Sequence, residues 1–97
     1  MIVRVFKAII FSDKQDEFKS FFTKIALPLI KKQEGVIDTV IGLPIDNSSQ
    51  EFMMISYWRD IESLKKFAGV DWRNAVIDDR EKHLIKSVTI DHFMKFE

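Results

Sequence analysis

Two histidines, one arginine inside an apolar run and two tryptophans are the side chains of this 97-residue chain best suited to chemistry. His83 closes the charged stretch DDREKH, and an imidazole of ordinary pKa can take a proton near neutral pH. Arg4 sits within MIVRVFKAIIF, two positions from both Ile2 and Phe6, so on a strand these three share a face. A base and a cation are what abstracting a proton and holding the resulting enolate or phenolate require. Each has a plainer alternative. His83 can be a surface residue, and Arg4 can form an ion pair at a sheet edge or between subunits. His92 alternates with Val88, Ile90 and Met94 and reads as a hydrogen-bonded structural or interface histidine. Trp58, Phe67 and Trp72 can stack on a planar ligand or simply fill a core. Tyr57, the only tyrosine, faces away from Trp58 and can donate a hydrogen bond or meet solvent, and Met53 and Met54 fill space.

Other chemistries find no footing. The histidines lie nine residues apart without His-x-x-x-His or Glu-x-x-His spacing, so no metal site is expected. Three glycines in the whole chain build neither a dinucleotide fingerprint nor a phosphate loop. Ser48 and Ser49 lack the Gly-x-Ser-x-Gly elbow of a hydrolase, and Asp78 and Asp79 read as caps of a helical turn. Fifteen basic and fifteen acidic side chains cancel, which argues against nucleic acid or an anionic membrane surface as a partner. Zero cysteines exclude disulfides and thiol catalysis and suit a reducing, cytoplasmic location. The apolar N-terminus carries Arg4 and Lys7 inside the run, so it reads as a strand rather than a signal or membrane segment.

Periodicity gives the scaffold that holds these side chains. The chain reads as one domain, 1–97, without repeats or linkers. Residues 1–11 form a first strand. Ser12 and Gln15 have capping-box spacing, after which Phe18, Phe21, Phe22, Ile25 and Leu29 make a phenylalanine-rich helix face that Pro28 kinks or closes. Lys31, Lys32 and Gly35 read as its C-terminal turn. Val36–Ile45 and Phe52–Arg59 are the arms of a hairpin about DNSSQE. Asp60 caps a second helix over 61–68, with Gly69 at its end. Asp71 starts a short turn through Trp72, Ala75 and Val76, and LIKSVTIDHFMKF is the last strand. The order βαββαβ predicts an α+β fold: a ferredoxin-like sandwich with an antiparallel sheet and both helices on one face. Yet Ile2, Phe6, Ala8 and Ile10 oppose Val3, Val5, Ile9 and Phe11, and Val36 and Val40 oppose Ile37, Ile41 and Leu43. Two apolar faces need two covers, so a second copy is expected on the open one, giving a homodimer.

FMMISYWRDIESLKKFAGVDW followed by AVIDDREKHLIKSVTIDHF resembles the antibiotic biosynthesis monooxygenase (ABM) family of small dimeric α+β barrel proteins. The likeness extends over nearly the whole chain in element order, and Trp58, Phe67, Ala68, Gly69, Trp72 and His92 carry it most sharply. It implies a pocket between the inner sheet face and the helices, with Trp58 ending the strand, the second helix as roof and the Trp72 segment as a wall. Trp58, Phe67 and Trp72 would then bind the ligand, His83 would approach the mouth, and Arg4 would hold an anion. The implied activity is oxygenation of an aromatic or quinol-like small molecule without a cofactor, because a deprotonated polycyclic phenol or anthrone is itself the electron donor to oxygen. The resemblance leaves room for a non-catalytic binding dimer or a haem-handling protein. Its haem-degrading branch pairs an asparagine on strand one with a histidine on the later helix; here the asparagines are Asn47 and Asn74, and WRNAVIDD has no histidine.

Overall fold

The run of β-branched residues at the N-terminus takes an inner place in the sheet, where both edges of a strand are paired. In the computed structural model, which describes residues 1–46 and 49–96, β1 (Ile2–Ile10) lies antiparallel between β3 (Glu51–Trp58) and β4 (Ile85–Met94). β2 (Val36–Gly42) pairs with the far side of β3, giving the order β2-β3-β1-β4. Asn47 and Ser48, in the middle of the expected DNSSQE turn, and Glu97 lie outside the described residues. The sheet order and the placement of the helices between strands are those of the ferredoxin-like α+β sandwich.

Three helical segments run end to end after β1: α1 (Gln15–Phe21), a π-helical stretch (Phe22–Ala26) and α2 (Leu27–Lys31). The capping box expected at Ser12 and Gln15 does not form. Ser12–Lys14 is instead a 3-10 turn entered from Phe11, with no side-chain cap. Pro28 neither ends nor closes the helix. A proline has no N–H to give and its ring crowds the carbonyl four residues back. The ladder answers by widening, so that the N–H of Leu27 reaches the oxygen of Phe22, five residues behind it. Such π-turns are rare and concentrate at functional sites.

α3 (Ile61–Ala68) matches its sequence signals closely. The Asp60 carboxylate accepts from the Ser63 N–H at 2.8 Å, and Gly69 ends the helix at φ +83°. Gly35 is the second glycine with positive φ, at +85°, and a Cβ there would collide with the Ser63 side chain. The approach of α3 to the start of β2 therefore depends on a missing side chain.

Between sheet and helices, Ala8, Ile10, Phe18, Phe22, Phe52, Met54 and Leu84 form the core. Phe18 stacks on Phe22 at 5.1 Å and meets the edge of Phe52 at 4.9 Å, geometries that add to plain burial. The other sheet face carries Val3, Val5 and Ile9 beside Met53, Ile55 and Tyr57, with Val40 and Phe93 exposed. One detail of β2 differs from strict alternation. A bulge between Val36 and Asp38 places Val36 opposite Trp58 and Ile41 opposite Met54, so both face the helices, and Ile37 is pushed out to 54% exposure. Among the described residues no helix is long and apolar enough to cross a membrane.

Candidate functional site

Alternation along β1 sends Arg4 to the helix side, between Ser56 on β3 and His92 on β4. It is 4% exposed. Burying a guanidinium is costly unless its donors are met. Nη1 donates to the carbonyl of Trp72 at 2.6 Å and to Nε2 of His92 at 2.8 Å, while Nη2 donates to the carbonyl of Asn74 at 3.1 Å. These bonds use three of the five donors of an arginine. Among the described residues no carboxylate lies within ion-pair distance of it. Burial pulls its pKa down to about 10, which still leaves it charged at neutral pH.

The contact with Arg4 also defines the state of His92. An imidazole nitrogen that accepts from an arginine is unprotonated, so His92 is neutral with its hydrogen on Nδ1. Its pKa is lowered by burial first and then by the charges of Arg4 and Arg73. Trp72 meets the His92 ring edge-on at 4.9 Å, and the Arg73 guanidinium lies 4.2 Å from the Trp72 ring centre.

Arg4 opens onto a cavity of about 60 Å³ lined also by Phe6, Phe22, Met54, Phe67 and Glu81. Since one water needs roughly 10–15 Å³ of such space, it has room for about four to six waters. The π-helical stretch turns both Phe22 and Ala26 into this wall, and Ile30 follows one turn later. Ser56, 2% exposed, lies on the floor beside Arg4. Its oxygen accepts from Trp58 Nε1 at 2.9 Å, which leaves the hydroxyl hydrogen available to the cavity.

Glu81 enters from the segment joining α3 to β4 and is 5% exposed. Burial pushes its carboxyl up to about 7, the Asp78 charge adds to the shift, and a backbone hydrogen bond from Asp78 and the Arg80 charge work against it. Near neutral pH it is therefore divided between acid and base. Cation, hydroxyl and titrating carboxyl face one apolar space.

The residues expected from sequence fall into three groups. Arg4 and Phe67 line the cavity. Trp58 is fully buried beneath it, stacked on Phe67 at 5.3 Å, and Trp72 contributes its backbone carbonyl to Arg4 rather than its ring to the cavity. His83, expected near the mouth, lies instead on the outer surface, with Nε2 3.4 Å from a Glu17 carboxylate oxygen. Its neighbour Leu84 takes the buried position of that turn. Ser56 is not singled out by sequence reasoning, and neither is Glu81, inside the same charged stretch. A signal for it exists in the three-residue spacing Asp78, Glu81, Leu84, because successive turns (Glu81 N to Asp78 O, Leu84 N to Glu81 O) bring every third residue to one side.

Among the described residues no histidine, cysteine or tyrosine lines the cavity to hold a haem iron, and Met54 is its one thioether. Among the described residues no cluster of three metal-binding side chains occurs.

The family model of the antibiotic biosynthesis monooxygenases (ABM) matches residues 1–74, a span that includes Arg4, Ser56 and Phe67 but not Glu81. No curated protein sequence matches the chain. Among solved structures, an antibiotic biosynthesis monooxygenase superposes with a TM-score of 0.78 at 10% identity, over 100% of both chains. A conserved protein from Methanosarcina mazei Go1 gives 0.70 at 21% identity, over 99% of this chain and 94% of that one. A point mutant of MhuD, with two manganese protoporphyrin IX molecules bound per active site, gives 0.72 at 12% identity over 98% and 94%. At these identities the likeness is one of fold.

Proposed function

The chain belongs to the antibiotic biosynthesis monooxygenase family, and on that premise we propose that it oxygenates a small, acidic, electron-rich hydroxyaromatic or quinol-like molecule in the Arg4 cavity, using electrons of the substrate itself. One observation carries this reading: a buried guanidinium that has no carboxylate partner among the described residues shares an apolar cavity with a carboxyl that titrates near neutrality. A cation so placed favours whatever anion enters, and the apolar walls strengthen that preference by excluding water.

Glu81, as carboxylate, takes a proton from the substrate. The charge left behind settles on a substrate oxygen facing Arg4 and Ser56. That anion is the electron donor to dioxygen. Where an activated CH2 becomes a carbonyl, one oxygen atom enters the product and the other leaves as water, with the four electrons supplied by the carbon. A cavity of about 60 Å³ supports a smaller substrate than the polycyclic phenol or anthrone that the resemblance implies.

A second copy of the chain covers the outer sheet face, where Val3, Val5, Met53 and Ile55 would otherwise meet water. Light scattering at micromolar concentration tests this, and a monomer overturns it.

The test of function is oxygen uptake by chelator-treated protein over small hydroquinones and one-ring activated phenols. Uptake that survives chelation, falls in Arg4→Gln and persists in His83→Ala is the expected result. No uptake above heat-denatured protein, with a ligand-dependent rise in melting temperature, would make this a binding site without turnover.

A further inference from the structure

Arg4 and Ser56 come from adjacent positions on the sheet floor, paired across β1 and β3, whereas Glu81 comes from the separate segment after α3. The described contacts leave Arg4 two donors and Ser56 its hydroxyl hydrogen. A guanidinium and a hydroxyl on the floor of one largely apolar cavity offer donors to a developing oxyanion, and the Glu81 carboxyl lines the same cavity. That arrangement needs no oxidant. The same three groups can hold a phenolate, but an O–H acid ionises readily and needs them less. A C–H acid beside a carbonyl has the larger barrier and uses all three groups.

We propose that this cavity catalyses enolisation of small carbonyl compounds of about one ring or less, chiefly 1,2- and 1,3-dicarbonyls, with Glu81 as the base and Arg4 and Ser56 holding the enolate oxygen. Glu81 takes the proton from the carbon α to the carbonyl. The C–H pair becomes the carbon–carbon π bond, and the carbonyl π pair moves onto the oxygen facing Arg4. The proton then returns from Glu81 to the same carbon, giving exchange with solvent, or to another carbon of the enolate, giving an isomer. No electrons are gained or lost overall. The inference rests on the same three-residue site as the oxygenation reading but not on its redox step.

The experiment is proton NMR of cyclohexane-1,2-dione in anaerobic D2O near neutral pH, with native protein, heat-denatured protein and Glu81→Gln. Native protein is expected to speed loss of the α-proton signals at least about tenfold over heat-denatured protein. The rate should rise with pH as Glu81 ionises, with Asp78 and Arg80 on its own segment and Arg4 across the cavity as its charged surroundings. Glu81→Gln, which keeps the shape of the side chain, is expected to return exchange to background while melting as a folded protein. Exchange that is absent, or unchanged in Glu81→Gln, overturns the proposal. Oxygen uptake measured on the same preparations separates the two readings: uptake without exchange leaves the oxygenase standing alone, exchange without uptake leaves the enolising activity alone, and neither removes both.

Discussion

Replacing Glu81 with glutamine should make the protein more stable and less active, and the gain in stability should depend on pH in a defined direction. Burial raises the folded-state pKa from its ordinary value of 4.5 to about 7. Below about pH 4.5 the carboxyl is protonated in both folded and unfolded chains and contributes no difference. As pH rises, the unfolded chain releases its proton first, so the fold loses stability until pH passes the folded pKa. A shift of this size corresponds to roughly 3 kcal/mol at about 1.36 kcal/mol for each pH unit, and most of it develops between about pH 5 and pH 8. The side chain is 5% exposed but faces a cavity with room for water, so the energy is an upper bound. Glutamine is isosteric and cannot ionise. Urea unfolding of both proteins, at one protein concentration, should give curves about 1 kcal/mol apart near pH 5, with the variant ahead by about 2 to 3 kcal/mol near pH 8. For a chain of this length that is a melting-point gain of roughly 10 °C or more. A gap that does not change with pH, or a variant less stable at pH 8, would refute the argument that Glu81 is held as a strained acid in an apolar cavity. Stability gained where activity is lost marks a residue retained for chemistry.

Arg4→Gln should cut oxygen uptake at least about 100-fold, and because it frees the carbonyls of Trp72 and Asn74, amide hydrogen exchange across 72–76 should quicken while the β1 amides stay protected. His83→Ala removes only an exposed pair with Glu17, so uptake should be unchanged and stability should move by less than about 0.5 kcal/mol in urea unfolding. Gly35→Ala combines positive φ with a collision against Ser63, and should cost about 2 kcal/mol or more in the same assay; a neutral outcome would mean that α3 does not rest on that turn.

How far this site can be read from sequence depends on which period governs each part of it. Arg4 and Trp58 stand on strands, where the period of two groups Arg4 with Ile2 and Phe6, although apolar residues on both faces of β1 leave open which face the helices cover. Phe67 stands on a helix whose cap at Asp60 and end at Gly69 are both written in side chains. Those residues are therefore legible. Glu81 is in neither kind of element. Its surroundings, DDREKH, look like a solvated charge run by composition, and the histidine draws attention because its ordinary pKa suits a base. The backbone decides otherwise: two consecutive turns ending at Leu84 give the segment a period of three, which buries Glu81 and turns His83 out to Glu17. Burial thus moves a carboxyl into the range where a free imidazole titrates. The histidine lies on the surface beside Glu17. The bulge in β2 and the π-turn before Pro28 are hidden from pattern reading for a related reason. Each inserts one residue into a regular ladder, and a single insertion changes the face of every later residue in the element without changing composition. The π-turn bears on function, since it brings Phe22 and Ala26 to the cavity wall opposite Arg4's strand. Substitution of Pro28 by alanine should therefore relax the helix toward ordinary spacing and reshape that wall, altering which small molecules raise the melting temperature more than it alters the melting temperature itself.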